Sequence, residues 1–315
     1  MMACARTPVA LLDRMPKARG QIVAHAPLAP LVWFRAGGAA EILFTPADEQ
    51  DLADFLSALP DDIAVTVIGA GSNLLIRDGG VRGVVVQLGD AFTGIEIGPD
   101  GVITAGAAVM DVKLASAARD AALTGLEFLR GIPGAMGGAA RMNAGAFGGE
   151  LKDIFVSARG IDRKGRLRQF ALADAGFAYR HSAFPDDVIL TQITVRGTPG
   201  DKQKISARMA EIAAERSASQ PVGARTGGST FANPEGPKAD GRKAWELIDA
   251  AGCRGLRLGD AMVSEKHCNF LINCGAATAS DLEALGEQVR VRVLAASGIV
   301  LHWEIQRIGE AGGRS

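Results

Sequence analysis

The chain has 315 residues, long enough for two or three packed units, since domains commonly run to about 150 residues. Its 34 Lys and Arg against 35 Asp and Glu leave a net charge of −1, which supplies no strong field to hold nucleic acid or an anionic membrane, and a 48% hydrophobic composition excludes a disordered chain. No apolar run approaches the ~18 residues of a membrane helix, and the Val9–Leu12 run is too short for a secretory signal. Neither the four cysteines (Cys4, Cys253, Cys268, Cys274) nor the four histidines (His25, His181, His267, His302) fall at metal-ligand spacing, so a soluble, cytoplasmic protein without a metal site is expected.

In chain order, residues 1–20 read as a flexible leader, and Glu41–Phe44 reads as a strand. Thr45-Pro46-Ala47-Asp48 offers an N-cap, a proline at the first helical position and an acid at N3, predicting a helix to about Leu59. Ile63–Ile68 is a short buried strand by composition, and short β-branched pieces separated by glycine turns fill the chain from there to Ala105. Asp111–Thr124 has the alanine-rich spacing of a helix, with Gly125 as its cap. Strands are predicted at Phe155–Ile161 and Val188–Val195, and helices at Asp201–Ser217 and Lys243–Ala251. Ser280-Asp281-Leu282-Glu283 reads as a capping box for a helix stopped by Gly298. Residues Ile299–Ile308 alternate as a last strand, placing Trp303 on the apolar face and Glu304 on the polar one. The class is α+β, with a boundary near residue 200.

Forty glycines in 315 residues exceed the usual share of about 7%, and where they cluster the backbone is exposed for contact. Gly69-Ala70-Gly71-Ser72-Asn73 follows a strand, where amides can cradle a diphosphate. The Rossmann arrangement needs a helix directly after such glycines, whereas Leu74–Val86 reads as strand, turn, strand, which argues against a nicotinamide Rossmann domain and leaves a tight glycine-rich hairpin loop as the other local reading. The segment from Gly131 to Gly149 is nearly free of side chains, and such density serves either close helix packing or approach to a phosphate-bearing ligand. Pro133 suits the first turn of a helix, and Arg141 and Asn143 add polar groups that packing alone does not require. Gly228-Ser229-Thr230-Phe231-Ala232-Asn233-Pro234, Tyr179-Arg180-His181-Ser182 and Glu304 each read locally as a turn, a solvated loop and a surface acid.

Taken together and in order, these segments resemble the bacterial UDP-N-acetylenolpyruvoylglucosamine reductase family of peptidoglycan synthesis, in its compact second type. The resemblance rests on Phe34–Gly38, Ile68–Val86, Glu127–Gly148, Tyr179-Arg180-x-Ser182, Gly228–Pro234, Ala244–Ile248, Val263–Gly275 and Trp303-Glu304. It implies an FAD-binding fold of the vanillyl-alcohol oxidase type, with two FAD-binding subdomains over 21–199 split near residue 88. A C-terminal α/β substrate domain over 200–315 completes the arrangement. The implied reaction is NADPH-dependent reduction of the enolpyruvyl ether on UDP-N-acetylglucosamine, by a monomer whose partners are small molecules. FAD contacts are expected from Gly69, Ala70, Gly71, Ser72, Asn73, Gly134, Gly137, Gly138, Asn143 and Ala144.

By the same resemblance Ser229 is the proton donor, Arg180 binds the substrate carboxylate beside Tyr179, and Glu304 lies at the same centre with a pKa expected to be raised. Asn233 and Asn269 are expected in the UDP-sugar diphosphate region. The chain departs from the family in carrying Ala232 where a lysine is usual, with Lys238 or Lys243 as possible replacements, and in an inserted loop over Glu235–Arg242. Two other readings are another FAD oxidoreductase of this fold, acting on a sugar or alcohol, and a non-catalytic nucleotide-sugar binding module.

Overall fold

The structure is a computed structural model that describes residues 11–236 and 239–312. Packing divides the chain into two units. The first comprises the residues up to His25, then Ile42–Ala70 and Gly83–Arg216; the second comprises Ala26–Glu41, Gly71–Arg82 and the residues from Ser217 onward. The expected single boundary near residue 200 therefore differs from the observed division. Two N-terminal excursions, 26–41 and 71–82, bury Phe34, Ala36 and Leu75 in the same core as Leu247, Leu282 and Ile305.

The first unit holds most of a four-stranded sheet in the order Gln21–Pro27, Ala39–Thr45, Val81–Gln87, Val65–Ile68, whose last two strands are parallel. It also holds an antiparallel five-stranded sheet in the order Leu167–Ala171, Phe155–Ile161, Ile189–Arg196, Val102–Gly106, Ile95–Ile97. Each sheet has its own apolar core. Ile42, Phe44, Phe55, Val84 and Val86 gather in one, and Ile103, Leu114, Met136, Phe155 and Ile193 in the other. The second unit pairs Leu74–Ile76 in parallel with Gln306–Ile308 and adds a small sheet of Arg257–Leu258, Ala261–Val263 and Leu271–Asn273.

Several predicted termini shift, each for a visible reason. Thr45 ends a strand, so the first helix is Glu49–Ala58 and its cap is Asp48, whose carboxylate accepts from Asp51 N at 2.9 Å. Asp51 in turn accepts from Arg19 N and Gly20 N at 2.7 and 2.8 Å, and Leu11 is buried, so residues 11–20 are held in place; residues 1–10 of the expected leader lie outside the described residues. The Asp111–Asp120 helix stops at Ala121, and Gly125 comes only after the short strand Leu123–Thr124. Pro133 lies outside the next helix, Met136–Arg141, which starts after Ala135. The capping box of Ala279–Ser297 is Thr278 with Asp281, because the Thr278 hydroxyl reaches Asp281 N at 3.0 Å; Gly298 does close this helix, with φ 68°. Of the last predicted strand only Gln306–Ile308 is laddered, and Trp303 instead forms a single bridge with Phe231.

Candidate active site

Within the first unit, Gly69 and Ala70 leave the Val65–Ile68 strand as a loop. A Cβ built on Gly69 meets nothing within 4 Å, and the same holds for Gly138 in the Met136–Arg141 helix. Both face open space, so their lack of a side chain serves no packing need of this unit. Gly137 differs. A Cβ there would stand 3.0 Å from the Ala107 Cβ, and its N–H donates to Ala107 O at 2.9 Å, so it is a packing glycine. Gly134 accepts from Asp111 N at 3.0 Å.

Asn143 is buried with φ 40°, and its side chain is fully committed. Its Nδ2 donates to Glu150 Oε2 at 2.8 Å and Ala178 O at 3.0 Å, while Oδ1 accepts from Lys152 N at 3.0 Å. The amide and carbonyl of Ala144 are likewise engaged, with Ala139 O and Leu151 N. Both residues build the loop rather than offering it to a ligand. Arg141 also proves structural, donating to the carbonyls of Phe184, Pro185 and Val188.

Arg180 sits in the same neighbourhood. Its backbone is left-handed at φ 54°, its Nη2 donates to Gly145 O at 3.0 Å, and its guanidinium carbon lies 5.0 Å from the ring centre of Tyr179, which is exposed. A hydrogen bond from Lys152 first, then the Asn143 amide and the positive field of Lys152 and Arg180, hold the Glu150 carboxyl below the usual carboxylate range.

One residue escaped the sequence reading. Asp111 opens an alanine-rich helix, where an acid is ordinarily solvated, yet both its carboxylate oxygens are buried without a hydrogen-bond partner. Burial pushes its pKa up to about 8.

The second unit brings four of the predicted residues together. Glu304 N donates to Thr230 O at 2.9 Å, Asn73 Nδ2 donates to Glu304 O at 3.2 Å, and Asn73 O accepts from Gln306 N at 3.0 Å. A Cβ on Gly228 would have Ser72 O as its nearest neighbour, at 3.8 Å. The Ser72-Asn73 turn, the Gly228–Thr230 segment and Glu304 therefore form one cluster. Thr230, next to Ser229, is fixed on every polar group: N to Asn269 O at 2.7 Å, and Oγ1 accepting from Leu271 N at 3.2 Å. The Ser229 hydroxyl, half-buried between these anchors, has no hydrogen-bond partner among the described residues. Gly71 is structural: with φ 66°, any Cβ would collide with Leu31 O.

The two asparagines act locally. Asn233 Oδ1 accepts from Ala244 N at 3.0 Å and so caps the Ala244–Ala250 helix, and Asn269 is nearly buried with its carboxamide turned onto the Phe231 backbone. Lys238 lies outside the described residues, and the Lys243 amide is tied to Glu246 Oε2 at 2.6 Å.

These features fit FAD. The open glycines at 69 and 138 give amide-rich surface without side chains, and the Gly69–Asn73 loop runs into the strand Leu74–Ile76, with no dinucleotide-binding helix after it.

Residues 40–171 match the FAD binding domain family, and residues 220–308 match the C-terminal domain of UDP-N-acetylenolpyruvoylglucosamine reductase, a span that includes Gly228–Pro234 and Val263–Gly275. The UDP-N-acetylenolpyruvoylglucosamine reductase of Azorhizobium caulinodans is 60% identical, covering 95% of this chain and 96% of its own; that of Parvibaculum lavamentivorans is 57% identical, covering 99% and 100%. The crystal structure of the Thermus caldophilus reductase superposes with a TM-score of 0.79 at 32% identity, covering 92% of this chain and 99% of that one. With relatives this similar over its whole length, the chain belongs to the UDP-N-acetylenolpyruvoylglucosamine reductase family.

Proposed function

We propose that this protein reduces the enolpyruvyl ether of UDP-N-acetylglucosamine to UDP-N-acetylmuramate for peptidoglycan synthesis, with FAD as bound cofactor and NADPH as reductant. The observation that carries the reading is the Ser229 hydroxyl, which has no hydrogen-bond partner among the described residues while Thr230 beside it is bonded through its amide, carbonyl and hydroxyl. Bound FAD would supply the hydride chemistry that links NADPH to the terminal carbon of the enolpyruvyl group.

The chain's own residues manage the charge and the proton. As hydride arrives, electron density moves into the conjugated carboxylate, and the adjacent carbon becomes strongly basic. Ser229 gives its proton to that carbon; a hydroxyl is a weak acid in water, but a positioned one suffices against so strong a base. Arg180 binds the substrate carboxylate through its planar, permanently charged fork, and Glu304 stands beside Ser229 through the Thr230 carbonyl. Amides of the Gly69–Asn73 loop and of Gly138 would cradle the FAD diphosphate. Asn143 and Asn269 hold the loops that carry these groups. Asn233 helps to place the UDP-sugar by ordering the Ala244–Ala250 helix. The enzyme works as a monomer in the cytoplasm on small molecules, without nucleic acid or membrane; no helix among the described residues is long and apolar enough to cross a bilayer.

The test is anaerobic. NADPH should bleach the yellow colour of the purified protein, and addition of the enolpyruvyl substrate should restore it with one equivalent of UDP-N-acetylmuramate. Colour that resists NADPH, or that stays bleached with substrate present, would overturn the reading.

A further inference from the structure

The 229–232 segment meets the 302–305 segment in a short antiparallel arrangement: Glu304 N to Thr230 O at 2.9 Å, Phe231 bridging Trp303, and Ala232 N to His302 O at 2.9 Å. This pairing sets Thr230 opposite Glu304 and leaves Ser229 one residue further along the same segment. At its centre stands Trp303, one residue before the acid. Its indole is held from several directions. Nε1 donates to Glu287 Oε1 at 2.8 Å, the Phe231 ring lies 5.1 Å away between centres, and the Arg307 guanidinium carbon is 4.5 Å from the ring centre. Glu287 is itself held by Arg290 at 2.6 Å and by Arg307 at 3.4 Å. The indole edge fills the space over Gly286, in the interior of the Ala279–Ser297 helix, where a Cβ would collide with Trp303 Cη2 and Cζ2. Glycine inside a helix costs stability, so its presence needs a reason, and the seat for Trp303 supplies one.

We propose that Trp303, seated on Gly286 and bonded to Glu287, is a positioning residue that sets the Glu304 carboxyl and the Ser229 hydroxyl for proton delivery. The inference rests on the reading that these two groups act in reduction of the enolpyruvyl substrate. The helix thereby acts on the reaction centre through Trp303.

The test uses the FAD-loaded enzyme and stopped-flow measurement of the two half-reactions, with substrate Kd followed by calorimetry and folding checked by thermal unfolding. Gly286→Ala and Trp303→Phe should each slow reoxidation by the enolpyruvyl substrate at least tenfold, leaving reduction by NADPH and the substrate Kd within twofold of the parent. Phenylalanine lacks the atoms that meet Gly286, so in the Trp303→Phe background the added Gly286→Ala should change reoxidation less than twofold. A folded Gly286→Ala enzyme with parental reoxidation, or with both half-reactions slowed alike, overturns the proposal. If Gly286→Ala fails to fold, Trp303→Phe decides by the same criterion. Ser229→Ala separates the two levels. If it is slow while Gly286→Ala is normal, only the positioning role falls; if it too is normal, the underlying reading falls.

Discussion

The carboxamide of Asn269 closes on the backbone of Phe231 from both sides: Nδ2 donates to the Phe231 carbonyl at 2.8 Å, and Oδ1 accepts from the Phe231 amide at 3.0 Å. A side chain thus mimics a strand neighbour and orders the chain two residues from Ser229. Asn269→Asp puts a carboxylate against the Phe231 carbonyl in a buried place. It should cost about 2–4 kcal/mol, read as a lower Tm. A Tm within a degree of the parent would return Asn269 to consideration as a ligand residue.

Because the Ser229 hydroxyl supports no protein contact among the described residues, Ser229→Ala should fold with unchanged Tm. Reduction by NADPH should keep its rate, while reoxidation by the enolpyruvyl substrate should fall by about 10²–10⁴. Equal loss in both half-reactions, measured by stopped flow, would remove Ser229 from its role.

Gly69 and Gly71, two residues apart, should answer alanine in opposite ways. At 69 the new Cβ enters open space, so the apoprotein should keep its Tm while FAD affinity, read by flavin fluorescence, drops about tenfold (about 1.4 kcal/mol). At 71 the Cβ meets Leu31 O at a left-handed φ of 66°, and the apoprotein itself should lose Tm. Unchanged FAD affinity in Gly69→Ala would mean that the open space at this glycine is not the cofactor's.

Arg180→Lys keeps the charge and discards the planar fork. The kcat/KM for the enolpyruvyl substrate should fall at least tenfold, about 1.4 kcal/mol of lost transition-state binding. A lysine enzyme at the parental value would show that Arg180 acts as a point charge or not at all.

Asp111 makes stability depend on pH in a direction opposite to most carboxylates. Its folded pKa, pushed up to about 8 by burial, exceeds the ordinary value of 3.8, so the native state holds a proton that the unfolded chain releases. Its contribution is fully present below pH 3.8 and is lost as the pH rises through about 8. Asp111→Asn, neutral throughout, should raise the Tm more at pH 8 than at pH 5. A gain equal at both values would show that the acid is already ionised in the folded protein.

The long elements were legible in the sequence because their determinants are local. The β-branched run within Ile189–Arg196 and the amphipathic spacing around Lys202–Ser219 emerge where composition and periodicity predict them. The absence of a dinucleotide-binding helix after Gly71 could also be read directly, since the Asp78-Gly79-Gly80 turn cuts the Leu74–Ile76 piece short of a helix. Helix starts were misplaced where two cap candidates lay within a few residues. Thr45 and Asp48 compete, as do Ser280 and Thr278, and only the hydrogen bonds made by Asp48 and Thr278 decide between them.

Residue chemistry and order along the chain determined the family and the cofactor, and they single out Ser229, Arg180 and Glu304 as the groups proposed to act. Tertiary structure alone decided which polar side chains remain available to a ligand. Asn143, Asn233 and Asn269 have the same chemistry in sequence as any ligand-binding amide, but each spends hydrogen bonds on groups brought to it from at least seven residues away. The fate of Asp111 and the pairing of Gly286 with Trp303 were equally hidden, because burial and close packing depend on partners distant in sequence, which no local pattern encodes.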